Sequence, residues 1–499
     1  MHSHQSRLQP PTSKPYLCQM NWPKHLCFLL FCCTTFVGWS TDIPAGNVSG
    51  VWTAANSPYV VQGNLRVPAG ESLTIEAGVE VQFAANYFVR VLGNFQALGA
   101  AGDSVLLHNP NPGGYWHGFK LDSLDAASDT ARFSHCIFTT LKNSANSIVN
   151  TNKVVFEDSR LHHNTQLYVG TILMADANPI IRRCKFQNNT SSSGSEGTSI
   201  YISDSSPLIE DCEFTNNYAT YNGAGLAMYR YDVWTSPIIR NCLFEGNTAL
   251  GGCAVIIHSN VTATFENNTF RNNSGTYDGG AIWVGYIQAD TLHFRNNVFE
   301  ENHAVSDGGA LYIVNSKVKF DGDTFNGNTA NSLGGGIYAY DECQLTFEGC
   351  EFKNNDGSQG GAMHISESSA KINRCNFHNN TATAAGALWM TYYTTGYVSN
   401  SIFANNSANS GGAVRLVQYS HIPFSNCTFT NNKAVNSGGA MSLYHDSDPQ
   451  IRNCIFWGNE AETGPTLAVQ DYIWHTCEAD FAYGIVQGGE ASMSLGTST

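Results

Sequence analysis

The sequence predicts an all-β chain wound as a single-stranded right-handed parallel β-helix, a β-solenoid with three short strands per coil, and three periodic features predict it. The first is a phenylalanine followed three residues later by an asparagine: Phe186, Phe214, Phe244, Phe270, Phe299, Phe325, Phe352, Phe377, Phe403, Phe429 and Phe456, with asparagines from Asn189 to Asn459. Phe138 and Leu161 open the series in degenerate form, and successive members lie 23 to 30 residues apart. That spacing suits one supersecondary unit per repeat, a unit that buries its apolar face only by stacking on its neighbours. The second is a glycine pair midway through the repeat, as in Gly279-Gly280-Ala281-Ile282, Gly308-Gly309-Ala310-Leu311 and Gly438-Gly439-Ala440-Met441. The third is an apolar column five residues before the phenylalanine, running from Ile181 and Ile209 through Phe294 and Phe320 to Ile451.

Each feature places one strand. After the glycines the chain alternates with period two, so Ile282 and Val284, Leu311 and Ile313, Leu388 and Met390, and Met441 and Leu443 face inward while the residue between each pair faces out. No stretch carries the period of a helix. Parallel strands joined by crossovers of one sense favour a right-handed coil. The asparagines fall at a turn, where their amides can bond the asparagines above and below. Two residues before the phenylalanine runs a second column of small side chains, among them Cys136, Ser159, Cys184, Asn268, Asn297, Asp323 and Cys454, as a tight inward corner requires.

A solenoid lengthens by adding coils, so 499 residues need only one elongated core. At ~4.8 Å per coil the recognisable coils span about 60 Å. Residues 1–40 read as a secretory signal, with an apolar run from Leu26 to Val37 behind Lys24, a start as late as Met20 and cleavage near Ser40. Residues 41–135 read as a cap and first coils, 136–460 as regular repeats, and 461–499 as a terminal coil or a shortened C-terminal segment. Phe31 before Cys32 disfavours a lipoprotein site, and no later stretch reaches the length of a membrane span. With Arg7, Lys14 and Lys24 set aside, 22 basic face 40 acidic side chains, which makes nucleic acid and anionic membrane poor partners. Of 15 cysteines four lie in the leader and eight in the small-residue column, where they are expected to be buried fillers rather than disulfides; no ligand spacing suggests a metal site.

The alternating G-G-A-[I/L/V] and F-x-x-N tetrapeptides, from about Gly170 to Asn459, resemble the repeats of the chlamydial polymorphic outer-membrane proteins. The resemblance implies a right-handed β-helix displayed at a cell surface. Val67-Pro68-Ala69-Gly70 and Trp116-His117-Gly118 are similar to opening coils of the wider group, and Phe481 to Gly489 resembles a late coil. Those relatives end in an outer-membrane barrel, and nothing after Trp474 offers its alternating strands.

Chemistry is sought on the outward position of the glycine strand. Coil by coil it reads Leu173, Tyr201, Ala227, Ile256, Trp283, Tyr312, Tyr338, His364, Trp389, Arg415 and Ser442. Rings spaced by one strand separation suit stacking on sugar rings, so Tyr201, Trp283, Tyr312, Tyr338, His364 and Trp389 are the candidate ligand-binding residues; the ordinary alternative is same-face aromatics that only stabilise strands. Insertions at Tyr229–Ser236, Gly285–Thr291 and Tyr392–Gly396 all follow this strand and would wall one side of the face. For catalysis the candidates are Asp341 and Glu367 at equivalent positions of neighbouring coils, with His364 beside them and Arg415 two coils on; Asp176 and Asp204 form a second such pair. The expectation is a secreted or surface-exposed, non-catalytic and monomeric module that binds an extracellular glycan or surface protein without a cofactor. The alternative is a polysaccharide lyase or glycoside hydrolase of the pectate-lyase-like type, the only case in which Ca²⁺ would enter.

Overall fold

The computed structural model describes residues 40–124, 130–143, 146–167, 169–192, 197–470 and 477–494. The expected leader, up to residue 39, and Trp474 lie outside them. Trp39–Thr499 cluster as one unit.

Three strands per coil stack into three parallel sheets, which hold 18, 18 and 17 strands among the described residues. The phenylalanine strands, such as Val298–Glu300 and Thr324–Asn326, pair in register with Phe299 opposite Phe325. The glycine strands, such as Ile282–Gly285 and Leu311–Val314, pair with Trp283 opposite Tyr312. The third sheet contains Leu292–Arg295 and Lys317–Asp321, with Phe294 opposite Phe320. The columns read from the sequence are therefore vertical stacks. From Phe186 to Phe456 the rings follow one another at 4.6–4.9 Å and are nearly parallel in orientation.

The same column continues towards the N-terminus without phenylalanine. Leu107 pairs with Phe138, Val81 with Leu107, and Tyr59 with Val81, so the opening coils share one register with the regular repeats. Trp116, at the expected coil start, is buried, stacks on Phe83 at 4.0 Å and donates from Nε1 to the Thr139 carbonyl.

The asparagine ladder satisfies its own hydrogen bonds. Asn302 donates from Nδ2 to Asn328 Oδ1 at 2.9 Å and to the Phe270 carbonyl at 2.9 Å, while its Oδ1 accepts both the backbone N–H and the Nδ2 of Asn273. The pattern repeats rung after rung from Asn164 to Asn459. Buried amides with every donor and acceptor engaged rigidify a corner without leaving polar groups unpaired.

The turn itself is made by the residue before the ladder. Asn188, Asn216, Asn272, Asn354 and Asn405 have φ of 53–56°, the left-handed region in which asparagine is tolerated. The corner before the cysteine column is built the same way, with Asn241, Asn267 and Asn296 at φ 52–54°. The glycine pair has two separate requirements: Gly308 has φ +67°, and a Cβ on Gly309 would come within 2.1 Å of the Gly335 carbonyl oxygen.

One element was not anticipated. Immediately after the ladder asparagines a fourth, narrow ladder of eight strands runs from Thr248–Ala249 to Lys433–Ser437. Its strands begin at only two residues in length, too short for any periodicity to reveal. The eleven cysteines from Cys136 to Cys477 are all buried, the eight of the column as the filler reading expects.

Candidate functional site

The outward residues of the glycine sheet lie outside the main core; Ala227, Tyr229 and Ile256 form a small cluster of their own, with Tyr201 and Trp283 packed against it. All six aromatic positions read from the sequence are brought into one continuous ring system. Tyr229 stacks on Tyr201 and on His258 at 5.5 Å, His258 on Trp283 at 5.5 Å, and Trp283 on Tyr312 at 6.3 Å. The run continues from Tyr312 to Tyr338 at 5.4 Å, then to His364 at 5.3 Å and Trp389 at 5.7 Å. Gly285 makes room for one member, because a Cβ there would sit 2.2 Å from the Trp283 indole.

This geometry changes what the ladder can offer. The rings turn their faces to one another, in offset stacks worth about 0.5–1.5 kcal/mol each, and show edges to solvent. The parallel order breaks at Tyr338, whose ring is tilted 59° from Tyr312 and 78° from His364 and stacks instead on Tyr340. Of the six aromatic positions His364 departs furthest from the flat, solvated face expected of this strand, because the rings on both sides cover it to 4% exposure. Burial pushes its imidazole down to about 3, against a hydrogen bond that it donates to the Gln359 backbone carbonyl, so it is neutral at pH 7.

Exposed rings stand instead on the corner that follows the strand. Tyr231, Trp234, Tyr286, Tyr392 and Tyr393 are all exposed there, within the three insertions read from the sequence. Tyr286, Tyr392, Tyr393 and Tyr419 adopt φ of 48–63°, although a bulky side chain in the left-handed region costs about 1–2 kcal/mol. Backbone strain held by bulky exposed residues marks a place where something other than stability selects the side chain. Tyr393 and Tyr419 stack at 4.9 Å, and Tyr286 leans on His258 at 5.1 Å, joining the corner row to the ladder.

The acids read from the sequence turn out to be corner residues. Asp341, Glu367, Asp176 and Asp204 have φ of 63°, 48°, 49° and 45°, so their equivalent positions reflect the turn that each coil needs. Asp204 also anchors an insertion, since its Oδ1 accepts the backbone N–H groups of Tyr231, Asp232 and Val233 at 2.8–3.1 Å. Burial works against its ionised form, but these donors hold the carboxyl below its ordinary value. The loop that carries Tyr231 and Trp234 is thereby pinned. Asn260 does the same for the next insertion, accepting from Gln288 and Ala289.

A family described as right handed beta helix region matches residues 117–220, 191–334 and 318–485. The chain belongs to the right-handed β-helix family. No curated protein matches this β-helix in sequence. Among the described residues no helix is long and apolar enough to cross a membrane, and no three His, Cys, Asp or Glu side chains converge as a metal-ligand set.

Two features of the β-helix were missed from the sequence, a pair of acids and the unpartnered polar atoms of outward residues already named. Asp278 and Asp307 precede the glycine pairs of adjacent coils, and Asp278 lies close enough to Tyr312 to raise the phenol's pKa, behind burial and Tyr340. Burial and the charge of Asp307 raise the Asp278 carboxyl above its ordinary range. The repeated Asp-Gly-Gly was the available signal. The second group is a set of orphaned polar atoms on consecutive rungs: Nδ1 of His364, Nε1 of Trp389, Nε of Arg415 and Oγ of Ser442 are buried without a hydrogen-bond partner.

Proposed function

We propose that this β-helix is a non-catalytic, secreted or surface-exposed module that binds an extracellular glycan along the glycine sheet and the corner beside it. The observation that carries the reading is the exposed corner row, whose tyrosines keep a left-handed backbone that asparagine or glycine would adopt without strain. Exposed ring faces at the corner supply stacking area for sugars, and the edges of the ladder supply hydroxyl and N–H groups for their polar substituents. Exposed aromatic side chains gathered in two groups on one corner, Tyr231, Trp234 and Tyr286 and then Tyr392 and Tyr393, are unusual for a surface with no contact to make.

A glycan array probed with the wild type and with a Trp283→Ala, Tyr312→Ala, Trp389→Ala variant tests the ladder, and a Tyr392→Ala, Tyr393→Ala variant tests the corner. Binding by the wild type that is lost in either variant supports the proposal. Absent binding, or binding that neither variant changes, rejects it.

The Asp278 and Asp307 pair favours one second reading, a polysaccharide-degrading enzyme. A carboxyl raised above its ordinary range by burial and a neighbouring carboxyl is the kind of group a general acid needs. Sugar release from any polysaccharide that disappears in Asp278→Asn would establish it, and Asp341→Ala, Glu367→Ala would be expected to leave that release intact.

A further inference from the structure

The third sheet carries a pattern of charge on its outward face. On six successive rungs one column reads Glu157, Arg182, Glu210, Arg240, Glu266 and Arg295, acid and base in strict alternation. Ser134 precedes the run and Asp321 follows it. Each arginine pairs with the glutamate one coil before it, at 2.5–2.8 Å, yet the arginine side chains stay 35–48% exposed. At the centre of the run Arg240 donates from Nε and Nη2 to Oε2 of Glu210, and among the described residues Nη1 of the one and Oε1 of the other take no bond.

Two residues before each charge, on the same strands, stands a second outward column. Its middle is apolar: Ile180 and Leu208 are half-buried there, and Ile238 is 42% exposed. Thr264 and His293 continue it. Leu208 and Ile238 belong to the same two rungs as Glu210 and Arg240, so apolar surface lies beside the centre of the charged run.

A row that alternates over an even number of rungs is its own complement when read backwards. A two-fold axis along the strand direction, halfway between Glu210 and Arg240, lays the same face of a second copy on the first with the rungs in reverse order. Glu210 of one copy then meets Arg240 of the other, Arg182 meets Glu266, Glu157 meets Arg295, and Leu208 meets Ile238. A two-fold axis along the coil direction would set each charge of the column against its like, and so would a slip of one rung. Charge therefore fixes both the orientation and the register.

We infer that this face is the interface of an antiparallel dimer of the chain, with Leu208 and Ile238 packed at its centre and the two charged columns interlocked beside them. The dimer takes the place of the monomer expected from the sequence. Six rungs of three-residue strands cover roughly 25 Å by 10 Å, less than the ~800 Å² per partner of a stable complex, so the association is weak and depends on protein concentration. The interface lies on a different sheet from the aromatic ladder, and the glycan reading stands or falls separately.

Sedimentation velocity of the full chain at protein concentrations from about 10 μM to 1 mM reads the association. A monomer and dimer in equilibrium are expected, with the dimer weakened in about 1 M salt because exposed ion pairs are screened. Arg240→Glu places acid against acid at the centre and Glu210→Arg places base against base; each is expected to weaken the dimer about tenfold or more. Mixed in equal amounts, the two variants restore opposite charges across the axis and are expected to associate with each other as the wild type does with itself, a rescue that loss of folding cannot produce. Ile238→Asn leaves every charge in place and is also expected to weaken the dimer. Thermal melting reads folding separately; should either charge variant unfold, Ile238→Asn and the salt dependence decide. A wild type that stays monomeric over the whole range overturns the inference, and so do folded charge variants that fail to associate when mixed. A dimer that none of the three variants changes also overturns it, because contact would then lie on another surface, such as the exposed Ile402, Ile455 and Trp457 of the phenylalanine sheet.

Discussion

Asp323 interrupts an otherwise uncharged column and makes the stability of the solenoid depend on pH. It is fully buried between Asn297 and Cys350 in the second ladder. Its Oδ1 accepts the backbone N–H and the Nδ2 of Asn297 at 2.7 and 2.8 Å, and its Oδ2 accepts the backbone N–H of Asp321 at 3.0 Å. Burial outweighs these donors and pushes the carboxyl up from its ordinary 3.8 to about 7. Below about pH 4 the group is protonated in both folded and unfolded chains, and its contribution is fully present. As pH rises towards 7 the unfolded chain releases the proton while the folded chain keeps it, so stability falls by about 1.4 kcal/mol per unit, or roughly 4 kcal/mol over the whole window. Asp323→Asn removes the titration, keeps an oxygen for Asn297, and forfeits the bond from Asp321, worth about 1 kcal/mol. The variant is therefore expected to be more stable than the wild type by about 3 kcal/mol at pH 8, with the gain disappearing near pH 4. Denaturant unfolding of both proteins at half-unit steps between pH 4 and 8 measures the difference, in which the other titrating groups cancel. Parallel curves, or a variant less stable than the wild type at pH 8, would refute the reasoning.

Other outcomes follow from the same structure. Asn302→Ala strips the Phe270 carbonyl of a donor and Asn273 of its acceptor, so it should cost about 3 kcal/mol or more, read as a lower melting temperature. Tyr392→Asn relieves a left-handed aromatic residue at φ 48° and should stabilise the chain by up to about 1 kcal/mol while weakening glycan binding; a loss of stability would show that the corner is not strained. The ladder triple variant should lower the melting temperature whether or not a ligand exists, since each lost ring removes about 0.5–1.5 kcal/mol of stacking. Binding on the array then separates contact from scaffolding.

Much of the candidate site was legible in the chain, because the coil period and the strand alternation together assign a face to each residue. The row from Tyr201 to Trp389 was readable in that way, and so were the three insertions that carry Tyr231, Tyr286 and Tyr393. The orientation of the rings was not. Whether Trp283 offers a face or an edge depends on Gly285 behind it and on His258 and Tyr312 in the neighbouring coils, and no local pattern encodes those contacts. The equivalence of Asp341 and Glu367 was read correctly as a position, but the position is the left-handed corner of most coils, which acids share with asparagine and tyrosine for reasons of backbone geometry.

The amino-acid sequence by itself determined the solenoid: strand identity, inward and outward faces, and the asparagine and cysteine columns are all consequences of one short repeat whose apolar residues can be buried only by stacking. Tertiary structure alone decided which outward side chains remain open to solvent. His364 is sealed by the rings above and below it, Arg415 is left without a carboxylate, and Tyr393 is held out on a strained corner, because coverage and pairing on the surface are set by residues some 25 positions away along the chain that the coil brings within a single strand spacing.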